Sequence, residues 1–100
     1  MQFSGFDWDS GNRIKCQKHG VTIDEITALF ANNKVFVGPD ITHSTVEERF
    51  RAVGMNEHGR MIFIVFTLRL RNNDLFIRPI SARYMHLKEV EAYEKAISKT

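Results

Sequence analysis

The feature that most constrains this chain is a pair of apolar runs separated by a short polar break. The first run spans residues 61–68 and the second spans residues 75–83, with Asn72-Asn73-Asp74 in the break. β-Branched and aromatic side chains favour extended strands, and asparagine and aspartate tolerate the left-handed backbone of a tight turn. The sequence therefore predicts a β-hairpin whose first arm is buried on both faces, as in a central strand.

Two arginines close the arms of this hairpin. Arg69 follows the first apolar run, and Arg83 ends the second. A strand that is fixed by a core also fixes the side chain at its end, and a guanidinium group matches the oxygens of a phosphate. We therefore expect Arg69 and Arg83 to converge on a phosphate group.

Capping residues and helical periodicity predict three helices around the hairpin. Asp9-Ser10 offers an N-cap for a short helix over residues 11–18, and Thr22 with Glu25 forms a capping box for a helix to about residue 31. The third helix covers residues 86–98. The remaining predicted elements are strands at 3–8, 34–37 and 47–55, turns at 38–40 and 56–59, and a loop at 42–46.

The predicted element order is β-α-α-β-β-β-β-α. Consecutive hairpins make a small, mostly antiparallel sheet, and we expect the helices to pack on one of its faces. A length of 100 residues with 43% hydrophobic content is typical of one globular domain, which we assign to residues 1–100. The sequence therefore predicts a single α+β domain.

Composition limits the cellular setting and the class of partner. No apolar run is long enough to cross a bilayer and no signal sequence begins the chain, so we expect a cytoplasmic protein without a membrane partner. The single cysteine, Cys16, excludes an internal disulfide and a multi-thiolate zinc site. A net charge of +2 is compatible with a nucleic acid or an acidic protein as partner.

Four histidines are candidates for chemistry, and the most suggestive lies in Lys18-His19-Gly20. A histidine can transfer protons near neutral pH, and the adjacent ammonium group can hold a phosphate. The alternative is a helix C-terminus with solvated charges. His43, His58 and His86 match no metal motif in their spacing, so we expect no metal and no cofactor.

A carboxylate precedes the third predicted strand. Period-two alternation over residues 47–55 puts Glu48 on the inner face with Phe50, and Arg49 on the other face. A carboxylate on the inner face needs a cationic partner, and Arg69 or Arg83 could serve. An ion pair that only fixes the strand register is the alternative.

Six short motifs occur in order along the chain. They are Phe6-Asp7-Trp8-Asp9, Lys18-His19-Gly20-Val21, Glu48-Arg49-Phe50 with Gly54, Phe66-Thr67-Leu68-Arg69, Ile80-Ser81-Ala82-Arg83 and Glu91-Ala92-Tyr93-Glu94. With these motifs nearly the whole chain resembles the BrnT family of ribonuclease toxins. The resemblance implies a compact RelE-like fold and an endoribonuclease activity that arrests translation.

The resemblance also implies partners. A BrnA-type antitoxin would neutralise the toxin in a heterotetramer of two toxins on an antitoxin dimer. The ribbon-helix-helix part of that antitoxin would bind operator DNA, so the toxin would meet DNA only through its partner. RNA would be the substrate.

Cleavage of RNA without a metal needs a base for the 2′-hydroxyl proton, cations for the phosphorane charge and an acid for the 5′ oxygen. For a protein of this resemblance we assign the phosphate to Arg69 and Arg83, and a share of the charge stabilisation to Lys18. We assign proton transfer to His19 or Glu48. The residues expected to bind the substrate beside them are Arg49, Ser81 and Tyr93.

Three positions depart from the commoner pattern of the family, namely Asn12, Cys16 and Pro79. Pro79 predicts an edge or a bulge in the last strand. Two other functions stay open, a non-catalytic RNA-binding or regulatory module and a toxin subunit whose activity has decayed. A binder of single strands would expose aromatic rings for base stacking, whereas most aromatic residues here lie in apolar runs.

Overall fold

The computed structural model of the chain describes residues 2–40 and 47–98. Its strands are Gly5–Phe6 (β1), Phe36–Pro39 (β2), Phe50–Met55 (β3), Met61–Arg71 (β4) and Asp74–Tyr84 (β5), and its helices are Ser10–Gln17 (α1), Ile23–Ala31 (α2) and Leu87–Ser98 (α3). The α+β class and the element order agree with the sequence prediction. The loop predicted at residues 42–46 lies outside the described residues.

The central hairpin is formed by β4 and β5. The two strands pair antiparallel from Ile62 opposite Tyr84 to Arg71 opposite Asp74. Asn72 and Asn73 turn the chain with φ angles of 52° and 68°. These left-handed values at both central positions are those of a two-residue hairpin turn that matches the twist of the strands. The predicted hairpin is therefore confirmed.

The five strands form one open sheet in the order β1-β5-β4-β3-β2. All pairings from β2 to β5 are antiparallel, which confirms the prediction for that part. β1 pairs parallel with β5 through Gly5 and Phe6. The sheet is therefore mixed rather than purely antiparallel, because β1 pairs with the outer edge of β5, a strand that is distant from it in sequence.

Both N-terminal helices begin at capping boxes. In α1 the side chain of Asp9 accepts a hydrogen bond from the Asn12 N–H, and in α2 that of Thr22 accepts one from the Glu25 N–H. The predicted helix starts are thus confirmed to within one residue. None of the described helices has the length and apolar character needed to cross a bilayer.

The core lies between the sheet and these two helices. Alternate residues of β4 face it, and Ile62, Ile64 and Phe66 are fully buried. The core cluster consists of Cys16, Val21, Ile26, Leu29, Phe30, Ala52, Ile62, Ile64, Phe66, Ile77 and Ala82. Burial raises the pKa of Cys16 to about 11, so its thiol stays protonated and unreactive at neutral pH.

The third helix lies on the opposite face of the sheet. Glu89 of α3 accepts hydrogen bonds from Arg83, which is opposite Phe63 and so points away from the core face. The ring of Tyr93 contacts that of Phe36 on the same side. The prediction that all helices pack on one face is therefore wrong for α3. None of the side chains of α3 is buried, because the apolar stripe that its sequence offers is only partly covered.

A β-bulge interrupts the pairing of the central hairpin. Pro79 is opposite Phe66 and Ser81 is opposite Val65, so Ile80 is an extra residue in β5. β1 pairs with β5 only as far as Ile77. Pro79 therefore needs no N–H for pairing on the side of β5 that faces β1. The bulge predicted from this proline is confirmed.

Asn12 connects α1 to the bulge. Its side chain is 6% exposed, and its Nδ2 donates to the carbonyl oxygens of Asp7 and Pro79, at 2.9 Å each. Its Oδ1 accepts a hydrogen bond of 2.7 Å from the Asp9 N–H. This one amide group therefore fixes the start of α1 against β5.

We expect Asn12→Ala to lower the free energy of unfolding by about 1–3 kcal/mol, because it leaves buried backbone groups without partners. Urea denaturation of the two proteins measures the difference. Gln17→Ala on the exposed side of the same helix is the control, with an expected change of about 0.5 kcal/mol or less. Equal effects of the two substitutions would contradict this role of Asn12.

Candidate active site

Cationic side chains surround an open cleft of about 410 Å³ beside the bulge. We call it the basic cleft and define it by its charged lining residues, which are Lys15, Arg49, Arg69, Arg78 and Glu47. The cleft is bordered by α1 on one side, and on the other by the end of β4, the middle of β5 and the segment that precedes β3. Four cations and one carboxylate line it, Asp9 offsets part of this charge by pairing with Arg78, and the remaining excess of positive charge favours a bound anion.

Glu47 pairs with two of the cations of the cleft. Its Oε2 accepts a hydrogen bond of 2.8 Å from Arg69 Nη1, and its Oε1 lies 3.9 Å from Arg49 Nη2. All three side chains are partly exposed, so a ligand can reach them. The two guanidinium groups hold the carboxylate in one orientation with solvent access.

Glu48 does not take the position that alternation predicted for it. Its side chain is exposed, while its carbonyl oxygen accepts a hydrogen bond of 2.8 Å from Thr67 Oγ1. β3 begins only at Phe50, so the two-residue period does not extend back to Glu48. The carboxylate that pairs with Arg69 is therefore Glu47, one residue earlier.

Arg78 forms the opposite wall of the cleft. Its guanidinium lies 2.8 Å from Asp9 Oδ2 and 3.6 Å from Asp7 Oδ2. The backbone N–H of Asn12, and then Arg78, lower the pKa of Asp9. The N-cap of α1 thus fixes Arg78. Lys15, one turn into the same helix, has no ion pair within the described residues.

Arg69 and Arg83 are not brought together by the structure. Arg69 of β4 is opposite Phe76, and Arg83 of β5 is opposite Phe63 of β4. The two arginines are therefore separated by the six residues of β4 from position 63 to position 69. At about 3.3 Å per residue this separation is about 20 Å. Both point to the face that carries α3, and only Arg69 lines the basic cleft.

Arg83 forms a two-pronged ion pair with Glu89 of α3. Its Nη1 and Nη2 donate to Oε1 and Oε2 at 2.8 Å each, and its guanidinium lies 4.9 Å from the centre of the Phe63 ring. These hydrogen bonds, with one from the His86 N–H, lower the pKa of Glu89 from 4.5 to about 2. Because the pKa is depressed, this pair stabilises the fold above about pH 4.5 and is lost only as pH falls towards 2.

The other predicted residues lie away from the basic cleft. Lys18 is the C-cap of α1, and His19 follows it; both side chains are exposed. Ser81 is half-buried opposite Val65, and Tyr93 is half-buried on α3. Of the residues predicted from the sequence, the cleft thus unites Arg69 with Arg49 and none of these four.

Comparison with known protein families identifies the chain. The sequence model of the family described as "Ribonuclease toxin, BrnT, of type II toxin-antitoxin system" matches residues 8–89. The chain belongs to the BrnT family. The match includes every residue of the basic cleft and both members of the Arg83–Glu89 pair. No curated protein matches the chain at a significant level.

Membership confirms the resemblance drawn from the six motifs. BrnT proteins are ribonuclease toxins of type II toxin–antitoxin systems, so the family provides both the class of activity and an antitoxin partner. In this BrnT chain the described residues contain no group of three histidine, cysteine, aspartate or glutamate side chains that could hold a metal ion.

Sequence reasoning missed three residues of this BrnT cleft, Lys15, Arg78 and Glu47. Lys15 could have been found, because it lies three residues after Asn12 and so on the same side of α1. Arg78 could not, because its contacts with Asp7 and Asp9 depend on the parallel pairing of β1 with β5. That pairing has no local signal in the sequence.

A second groove in this BrnT chain, of about 650 Å³, lies between α2 and the turn that joins β3 to β4. At its floor Glu25 accepts hydrogen bonds from Tyr84 Oη at 2.9 Å and 3.0 Å and from Asn56 Nδ2 at 2.8 Å. Arg60 stacks over the Tyr84 ring at 3.8 Å. These groups satisfy one another and connect α2, the β3–β4 turn and the end of β5. We therefore assign this groove a structural role.

Proposed function

We propose that this chain is a metal-independent endoribonuclease toxin that cleaves RNA in the basic cleft and thereby arrests translation. One observation carries the proposal: Lys15, Arg49, Arg69 and Arg78 line one cleft together with the carboxylate of Glu47. Preorganised cations that meet developing charge are often the largest single contribution to enzymatic rate. In this proposal they supply the positive charge that a metal provides in other nucleases.

The proposed reaction is an internal transfer of the phosphoryl group. The Glu47 carboxylate takes the proton of the 2′-hydroxyl, and the 2′ oxygen forms a bond to phosphorus as the bond to the 5′ oxygen breaks. The products are a 2′,3′-cyclic phosphate and a free 5′-hydroxyl. Arg69, which holds Glu47 at 2.8 Å, and Arg49 stabilise the phosphorane charge.

The leaving oxygen needs a proton, and Lys15 is the proposed donor because its ammonium group lines the cleft without an ion pair in the described part of the chain. His19 and Glu48 were the candidates for proton transfer from sequence. Their exposed positions outside the cleft favour Glu47 and Lys15 over them.

Expression of this chain alone in a bacterial host should stop growth with cleavage of cellular RNA. Arg69→Ala should restore growth and lower the cleavage rate by about 10²–10³, because one charge-stabilising donor is lost. Growth curves and cleavage of labelled RNA by purified protein measure both effects. Arg13→Ala is the control, since Arg13 is exposed and stacks 5.8 Å from Trp8 outside the cleft.

Two other results would contradict the proposal. Unimpeded growth with folded wild-type protein present would favour a toxin subunit whose activity has decayed. A folded Arg69→Ala variant that cleaves at the wild-type rate would put the active site elsewhere.

Substitution of two adjacent carboxylates identifies the general base. Glu47→Gln should lower kcat by about 10²–10⁴, because the amide cannot accept the proton. Glu48→Gln should change kcat far less, and it is a matched control in size and charge. If Glu48→Gln is the inactive variant, the base is the residue predicted from sequence and not the one favoured by geometry.

The antitoxin is proposed to be of the BrnA type, to bind operator DNA through a ribbon-helix-helix part and to form a heterotetramer with two toxins. We propose that it neutralises the toxin by covering the basic cleft. A cleft that attracts phosphates also attracts acidic side chains, and a flexible arm that folds on binding can occlude it.

We expect the antitoxin and a non-cleavable RNA analogue to exclude one another, because both would need the same cations. Competition measured by fluorescence anisotropy tests this, and antitoxin binding should weaken as salt rises. A stable ternary complex of toxin, antitoxin and RNA analogue would mean that inhibition acts at a distance.

A further proposal concerns the type of α+β fold. We propose that the sheet with α1 and α2 on one face is a RelE-like arrangement within one domain. The antiparallel pairing from β2 to β5 supports this proposal. Superposition of an experimental structure on RelE-type toxins tests it.

A further inference from the structure

Phe76 is an aromatic residue that the core does not use. Of the eight phenylalanines, the five that belong to the core cluster or pack against it are Phe3, Phe6, Phe30, Phe50 and Phe66. Phe63 has the Arg83 guanidinium 4.9 Å from its ring centre. Phe36 contacts the ring of Tyr93. Within residues 2–40 and 47–98, Phe76 has neither kind of contact, so its ring is left without an assigned partner.

The strand register places Phe76 next to the basic cleft. Phe76 is directly opposite Arg69, and Arg78 follows it two residues later on β5. Both arginines line the cleft. Residues directly opposite in an antiparallel pair have Cβ atoms about 4.5–5.5 Å apart, and alternate residues of a strand share a face. The ring therefore borders the cleft on the side of the hairpin turn, away from the end of the sheet that carries α3.

The Phe76 ring is partly open to solvent. Its side chain is half-buried, and its partner on β1 is Gly5, which has no side chain to cover it. A Cβ on Gly5 would lie 3.4 Å from Cε1 of the ring, so the ring lies against the backbone of β1. Its partner on β4 is Arg69, whose side chain is itself 37% exposed. The direct neighbours of the ring on both strands are therefore a glycine and a cation.

Asp7 binds the other cations beside the ring. This carboxylate lies two residues after Gly5, and its Oδ2 is 3.0 Å from Arg71 Nη2 and 3.6 Å from Arg78 Nη1. Both guanidinium groups are thereby drawn towards Asp7. In the part of the chain that the structure describes, no guanidinium group lies over the Phe76 ring. A planar ligand can therefore reach the face of the ring, with cations near its edge.

We propose that Phe76 is a stacking platform for one nucleobase of the RNA strand whose phosphate lies in the basic cleft. This inference rests on the proposed function, because it adds a contact with the same substrate. Proteins that hold single strands combine cations, which bind the backbone, with aromatic rings, on which the bases stack. A base inside a duplex is already stacked on its neighbours, so the platform selects a strand with an unpaired base.

The first measurement is the affinity of a 2′-O-methylated RNA of about four nucleotides, a length within the range of single-strand binding sites. The methyl group blocks the 2′ oxygen, so the strand is not cleaved. Phe76→Leu keeps an apolar side chain but removes the aromatic face, and it should weaken binding about five- to thirtyfold. Phe76→Tyr should bind as the wild type does, because its ring still stacks. Fluorescence anisotropy of the labelled strand measures the three Kd values.

Removal of single bases shows whether the ring acts on a base. In a series of the same strand, each member has one abasic nucleotide. One member should bind the wild type about five- to thirtyfold more weakly, and Phe76→Leu should weaken its binding no further, because ring and base form one contact. A ring with a purely structural role would weaken the binding of every member by the same factor.

Phe36→Leu is the matched control. It makes the same substitution at a phenylalanine that is 65% exposed on β2 and contacts Tyr93 instead of bordering the basic cleft. Its Kd for the methylated strand should differ from that of the wild type by about twofold or less. Circular dichroism verifies that each variant is folded.

Each outcome separates the inference from the proposed function. The stacking platform would be overturned if Phe76→Leu bound the intact strand as tightly as the wild type, or if no abasic strand lost its sensitivity to this substitution. Cleavage of unmodified RNA by the wild type in either case would leave the proposed function intact. The expected losses of affinity without any cleavage by the wild type would retain the platform and overturn the ribonuclease proposal. Absence of RNA binding by the wild type would overturn both.

Discussion

The pairing of β4 with β5, with one extra residue at Ile80, is the constraint on which the rest of the molecule depends. Before the bulge Ile77 and Pro79 face the core, and after it Ala82 and Tyr84 do, so the inward positions change from odd to even. A continuous ladder would keep one parity, and every side chain beyond it would change face. The bulge is thus the reason that Arg83 points away from the core.

The same irregularity organises the charges of the basic cleft. The Pro79 carbonyl is left free of strand pairing and accepts a hydrogen bond from Asn12, which fixes the first turn of α1. That turn carries the carboxylate of Asp9 that binds Arg78. The β-bulge, the buried amide of Asn12 and the N-cap residue Asp9 together therefore fix the position of Arg78 in the cleft. Such preorganisation is what electrostatic catalysis requires.

What could be predicted from the sequence was local. The turn at Asn72 and Asn73, the capping boxes and the bulge at Pro79 each depend on residues close together in the chain, and each was found. The parallel pairing of β1 could not be found, because nothing near Gly5 specifies a partner about seventy residues away. Alternation along the predicted strand selects Glu48 instead of Glu47 as the partner of Arg69. This is wrong because the local sequence pattern does not determine that β3 begins only at Phe50. The separation of Arg69 from Arg83 follows from register, since the ends of two antiparallel arms are at opposite ends of the ladder.

The parallel contact between the first strand and the last has a consequence for synthesis of the chain. β1 and the N-cap of α1 are translated about seventy residues before their partners Ile77, Arg78 and Pro79. Contacts between residues distant in sequence form only after the intervening chain is available. A nascent chain therefore cannot assemble the cation cluster until β5 has left the exit tunnel. The segment made first is consequently exposed without this cation cluster while β5 is still being synthesised.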